Sequence, residues 1–282
     1  MDASPANESD TFDIGGDRTV HRLGFGAMRI TGEDILGEPD DVGEAREVLR
    51  RAVELGVDFV DTADSYGPGV SERLIGETIA DEDVLVATKA GHLRDTDGSW
   101  PRHGYPEYVR HACLCSLDRL GVDTIDLYQF HRPDPDVPFE ASVTAFAELK
   151  DEGLVDHVGL SNVTVDQLET ARDIVEVATV QNRYNLAHRS SEDVLRVCEQ
   201  EDIGFIPWYP MDSGDLGGKR AVLADVAEAH DATPYQVALA WLLEHSPVML
   251  PIPGTGSLAH LEENVAASTL ELSDEEVRRL GG

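Results

Sequence analysis

Eight short apolar runs recur along the chain from about residue 20, and each gives way to polar residues at its carboxyl end. They are LGFGAM (23–28), VDFVDT (57–62), VLVATK (84–89), IDLYQFH (125–131), VDHVGLS (155–161), ATVQN (178–182), IGFIPW (203–208) and VMLPIP (248–253). Amphipathic stretches lie between them. Ala45, Val48, Leu49, Ala52 and Val53 keep helical spacing, as do Val109, Ala112, Cys113, Ser116, Leu117 and Leu120. Short runs that are apolar throughout suit parallel strands buried on both faces. Eight strand–helix units without a break in composition predict an α/β protein, a single (β/α)8 TIM barrel over residues 17–282. An open doubly wound sheet is the rival. Its phosphate-binding G-x-G-x-x-G would follow the first strand, but Gly24-Phe25-Gly26-Ala27-Met28-Arg29 has arginine in the third glycine place.

Charge narrows the function. The 55 acidic and 22 basic side chains give a net charge of −33, with a pI near 4.4. Nucleic-acid partners and anionic membrane surfaces are therefore excluded. Small domains ordinarily carry a charge of magnitude about 2–8, and self-repulsion on the present scale calls for screening by salt. Only Lys89, Lys150 and Lys219 are lysines, a composition read here as halophilic. Cys113, Cys115 and Cys198 are too few and too irregularly spaced for a disulfide framework. No run approaches the roughly 20 apolar residues of a membrane span, and the opening residues lack the apolar core of a signal peptide. A cytoplasmic enzyme is expected, with residues 1–16 a polar, poorly ordered tail.

The chemistry of such a barrel gathers at the carboxyl ends of its strands. Asp61, Lys89, His131, Ser161-Asn162, Gln181-Asn182, Trp208-Tyr209 and Gly254-Thr255 fall there, one set per unit. Lys89 must be paired if buried, since an unpaired ammonium is costly to desolvate. Asp61 ends the neighbouring strand, about 4.8 Å away, and Tyr66 follows on the next loop. An ammonium beside a phenol could lower its pKa by up to about three units before burial opposes it, making a general acid. A structural Asp–Lys pair with a packing tyrosine is the alternative.

The segments DTADSYG (61–67), VATKAG (86–91), SLDRLGVDTIDLYQFHRPD (116–134), HVGLSNV (157–163), VQNRYNL (180–186), IPWYPM (206–211) and IPGTGSLAHLEENVAA (252–267) together resemble the aldo-keto reductases. Within that family the likeness is to the broad-range carbonyl reductases and the pyridoxal-reductase-like branch. The resemblance implies reduction of a small-molecule carbonyl substrate by NAD(P)H without a metal. Tyr66 would protonate the carbonyl oxygen, Lys89 with Asp61 would tune it, and His131 would orient the substrate. Ser161, Asn162 and Gln181 would hold the nicotinamide carboxamide, with Trp208 stacked on the ring. Gly26, Ala27 and Met28 would also meet the cofactor, as would Gly254, Thr255, Gly256, His260, Glu263 and Asn264 around the last helix start. Gly254 and His260 stand where many members have a lysine and an arginine on the 2′-phosphate, so NADPH is expected with NADH a competitor. Met28 and Trp100 are candidate substrate contacts or ordinary packing residues. The short ending after the last helix is expected to leave the pocket mouth open.

Two other readings compete. Some family members are regulatory subunits of potassium channels, so a non-enzymatic cofactor-binding role is an alternative. A metal-dependent hydrolase using Asp61, Asp64 and His131 is the other, although Lys89 would repel the metal.

Overall fold

The computed structural model describes residues 4–211 and 220–281. Residues 1–3 of the expected tail, Lys219 and Gly282 lie outside them. Two strands come first, β1 (Thr11–Ile14) and β2 (Arg18–His21), paired antiparallel. Seven parallel strands follow: β3 (Phe25–Gly26), β4 (Phe59–Asp61), β5 (Leu85–Ala90), β6 (Ile125–Phe130), β7 (Val155–Ser161), β8 (Val177–Arg183) and β9 (Gly204–Trp208). They neighbour one another in chain order, the pattern of a barrel.

The eighth run closes the ring. On one side the Phe205 amide donates to the Val248 carbonyl and the Leu250 amide to the Phe205 carbonyl, each at 2.8 Å. On the other, the Gly24 and Gly26 amides donate to the carbonyls of Pro251 and Pro253. Prolines can accept but not donate, so this stave is bonded to both neighbours through an incomplete ladder. Gly26 and Gly254 make the close approach possible: a Cβ on either would stand under 3 Å from backbone of the opposite segment, 2.7 Å from the Ile252 carbonyl and 2.6 Å from the Gly26 carbonyl respectively.

The helices are α1 (Val42–Glu54), α2 (Val70–Ile79), α3 (Pro106–Leu120), α4 (Phe139–Asp151), α5 (Val165–Arg172), α6 (Glu192–Gln200), α7 (Arg220–Ala229), α8 (Pro234–His245), α9 (Leu258–Ala266) and α10 (Asp274–Gly281). The inward faces are those that the spacing marks: α1 buries Ala45, Val48, Leu49 and Ala52, and α3 buries Val109, Ala112, Cys113, Ser116 and Leu120. Thr164 and Thr233 start α5 and α8 with capping boxes to Gln167 and Gln236, each satisfying amides that a helix start leaves without partners.

The amino-terminal segment departs from the expected tail. Among its described residues, β1 and β2 form a hairpin whose Ile14 and Val20 are buried. These two join Phe59, Leu85, Leu127, Ile206 and Leu250 in one apolar cluster at the amino ends of the strands. Just after the hairpin, buried Arg22 donates to the carbonyls of Ser9, Leu243 and Ser246. Apolar residues spaced for a half-buried hairpin outweigh the polar average of the stretch.

Candidate active site

Parallel register sets the polar strand ends at one rim. Gly26 lies opposite Asp61, Lys89 opposite Gln129, and Ser161 opposite Gln181. Above them opens a cavity of about 750 Å³. Of the residues singled out above, Gly26, Met28, Asp61, Tyr66, Trp100, His131, Ser161, Asn162, Gln181, Trp208, Gly254, Thr255, His260, Glu263 and Asn264 line it. Two do not. Ala27 is fully buried, its carbonyl accepting from Ser71 Oγ at 3.0 Å, and Gly256 lies exposed against the Arg29 backbone.

Lys89 sits beneath the cavity floor with no exposed surface. Its Nζ donates to Asp61 Oδ1 at 2.6 Å and to the Thr62 carbonyl at 2.7 Å, and stands 5.2 Å from the centre of the Tyr66 ring. The second Asp61 oxygen accepts from Gln129 Nε2 at 3.0 Å and Gln181 Nε2 at 2.8 Å. Every charge in this buried cluster is therefore partnered, as the cost of burial demands. Burial opposes the charge on Lys89, but Asp61 and Tyr66 overcome it and raise its pKa. The ammonium is permanent at neutral pH.

Tyr66 corrects one expectation. Burial is the largest influence on it and raises its pKa; Lys89 pulls the other way, and Asp61 adds to the rise. The net direction is up from the ordinary value of 10.0, where a lowered value was expected. The phenol is thus held in its protonated form at neutral pH. His131 meets Tyr66 edge-on, ring centres 6.0 Å apart. Burial first, then the charge of Lys89, hold its pKa well below 6.5, so the imidazole is neutral. Its Nδ1 is buried without a hydrogen-bond partner among the described residues. Trp100 closes the same wall, 6.4 Å from Tyr66.

Farther along, Ser161 Oγ donates to the Gln181 carbonyl at 2.8 Å. Asn162 holds a left-handed backbone (φ 59°), its amide donating to the His131 carbonyl and to Ser161 Oγ. Its Oδ1 accepts from Trp208 Nε1 at 3.1 Å and Arg132 Nη2 at 3.2 Å. At the far end Thr255 Oγ1 accepts from the Ser257 amide, and Glu263 accepts from Thr233 Oγ1. Asp61, Asp64 and His131 do not converge as metal ligands. Asp61 is held by Lys89, and Asp64 Oδ2 accepts from Tyr108 at 2.6 Å; no such cluster exists among the described residues.

Sequence reasoning missed Gln129, Arg29, His92 and Arg132. Gln129 interrupts an apolar strand two residues before His131, and period-two alternation puts both on one side. That was a usable signal. Arg132 directly follows the strand-end His131 and could have been found by extending that rim by one position, whereas His92 lies three residues beyond Lys89.

The sequence matches the family model described as the aldo/keto reductase family over residues 22–281. An uncharacterized oxidoreductase of Schizosaccharomyces pombe is 46% identical, covering 99% of this chain and 91% of that one. The pyridoxine 4-dehydrogenase of Escherichia coli is 42% identical, covering 97% and 98%. The crystal structure of an aldo-keto reductase from Klebsiella pneumoniae in complex with NADPH superposes with a TM-score of 0.82 at 28% identity, covering 96% and 93%. No described helix is long and apolar enough to cross a membrane.

Proposed function

The chain belongs to the aldo/keto reductase family, and on that premise we propose that it reduces small aldehydes and ketones to alcohols with NADPH, Tyr66 giving the proton. One observation carries the assignment: Tyr66, with Lys89 and Asp61 beneath it and His131 beside it, lines one side of a cavity large enough for a cofactor and a small substrate. The cavity fits a dinucleotide. Its far end meets the start of α9, where the N-cap Ser257 makes no side-chain bond to the first turn. Free amides at a helix start favour phosphate. Trp208 offers an aromatic face at the near end. The Gln181 side-chain oxygen, Ser161 and Asn162 would hold the carboxamide, Asn162 exchanging one of its protein partners.

The reduced nicotinamide supplies hydride to the carbonyl carbon when bound. Tyr66 donates its hydroxyl proton to the carbonyl oxygen, and the Lys89 ammonium steadies the phenolate that this leaves. Asp61 keeps Lys89 in place, and Gln129 and Gln181 keep Asp61 in place. Neutral His131 donates a hydrogen bond that orients the carbonyl. Trp100 and Met28 form the apolar wall for the rest of the substrate. NADH competes as coenzyme, because Gly254 and His260 offer no bidentate grip on a 2′-phosphate. The E. coli relative supports trying pyridoxal-type aldehydes first. A regulatory, non-catalytic role draws no support from relatives named as oxidoreductases.

The net charge of −33 supports a salt-rich cytoplasm as the setting. The test of function is NADPH oxidation with 4-nitrobenzaldehyde and with pyridoxal in molar KCl, wild type beside Tyr66→Phe. Removing the acid should slow turnover by about 10²–10⁴. Equal rates would remove Tyr66 from this role.

A further inference from the structure

In this chain carboxylates outnumber cations 55 to 22, and arginines are accordingly engaged. Arg46 pairs with Glu77, Arg51 with Glu54 and Glu262, Arg73 with Glu38, Arg110 with Glu152, and Arg119 with buried Glu72. Arg132 has no such partner among the described residues, and neither has Arg29 in the same cavity wall. Arg132 lines the cavity beside His131. Its one hydrogen bond is donated to Asn162 Oδ1, which ties one edge of the guanidinium and leaves its other donors to the cavity.

Arg102 stands near it, also without an ion pair among the described residues. A short antiparallel bridge joins Arg102 to His92, another residue of the cavity wall. The two like charges act on each other: burial, and then Arg102, hold the Arg132 pKa below its ordinary value. Burial and Arg132 likewise push His92 to about 4, so His92 supplies no competing charge. Two mutually repelling guanidinium groups beside a half-dry wall are a cost that an incoming anion would offset. In the salt that a net charge of −33 calls for, long-range fields are screened, so capture of an anionic substrate rests on local cations.

We propose that Arg132, backed by Arg102, binds an anionic group, a carboxylate or a phosphate, carried by the carbonyl substrate. This rests on the reductase reading above and names the class of substrate within it. The rival account makes Arg132 a positioning residue for Asn162, acting at the cofactor end.

The experiment compares wild type with Arg132→Gln and Arg132→Lys in the same salt. Two pairs of substrates are used: succinic semialdehyde against its methyl ester, and glycolaldehyde phosphate against glycolaldehyde. The preference for the charged member, read as a ratio of kcat/KM, should fall roughly 10- to 100-fold in Arg132→Gln, the range of a charge-assisted hydrogen bond in a partly dry site. Arg132→Lys should restore part of it. The pair that shows the larger fall tells carboxylate from phosphate. Independently of turnover, succinate and inorganic phosphate are titrated into each protein by calorimetry. At least one should bind wild type and lose about tenfold or more in Arg132→Gln. An unchanged preference, or a loss confined to NADPH affinity, would overturn the proposal. Absence of turnover on the ester and glycolaldehyde in wild type would instead count against the reductase reading, and the calorimetric arm would still decide on Arg132.

Discussion

Replacing Lys89 with methionine separates an electrostatic role for this residue from a purely structural one. The ammonium lies 5.2 Å from the centre of the Tyr66 ring. At that separation and an effective dielectric of about 20, it attracts a developing phenolate by about 3 kcal/mol, or about two pKa units. If the transition state feels half to all of this, kcat falls by about 10- to 200-fold. The single variant also strands Asp61, and breaking a buried pair costs about 3–5 kcal/mol of stability. The double variant Lys89→Met/Asp61→Asn removes that penalty, since Gln129 and Gln181 can still donate to an amide oxygen. It should therefore melt near wild type yet stay slow, because the influence of Lys89 on Tyr66 exceeds that of Asp61. The assay is stopped-flow reduction under saturating NADPH, beside thermal melts in the same salt. A double variant that folds and turns over within threefold of wild type would refute the electrostatic account.

Asp64 gives a stability test. Burial raises its pKa from 3.8 to about 7, so the folded state binds a proton that the unfolded state has released. Its stability is then highest below pH 4 for this group and declines as pH rises toward 7, where the buried charge costs a few kcal/mol, to order of magnitude. Asp64→Asn keeps an acceptor for Tyr108 and should flatten the fall in Tm between pH 5 and 8; an unchanged slope would count against it. Dilution from molar to tens of millimolar KCl should abolish the far-ultraviolet circular dichroism of the fold, and a folded, active protein there would contradict the salt-dependent reading. Titration with NADPH should quench tryptophan fluorescence strongly in wild type and weakly in Trp208→Ala. Equal quenching would place the cofactor ring away from Trp208.

What the sequence discloses about this protein follows from what is local in it. A strand that is apolar throughout and then stops at a polar residue announces the rim of a barrel, so Asp61, Lys89, His131, Ser161 and Gln181 were legible one unit at a time. The eighth stave was legible as an apolar run, although Pro251 and Pro253 leave its ladder incomplete. The amino-terminal hairpin was not. Its strands have four residues each, and Ile14 and Val20 with half-buried Phe12 carry its apolar docking, too short a pattern to stand out from polar neighbours. Arg132 was visible as a residue but not as an unpaired cation, because pairing is a property of the carboxylates that the fold brings near.

Tyr66 shows where such reading must fail. Its acidity is a balance of burial and Asp61 against Lys89, three opposing influences that come from separate strands and from the depth of the rim. The nearby cation can be named from the sequence, and its Coulomb energy can be bounded. Desolvation cannot, because it sums over every group that displaces water from the phenol. With burial ahead, Tyr66 remains protonated through neutral pH, which suits a proton donor in the reducing direction. The favourable term from Lys89 is then felt chiefly as the phenolate forms, where a reductase needs it. A raised resting pKa and an electrostatic role for the ammonium are therefore compatible, and a phenol already ionised at neutral pH would have no proton to give.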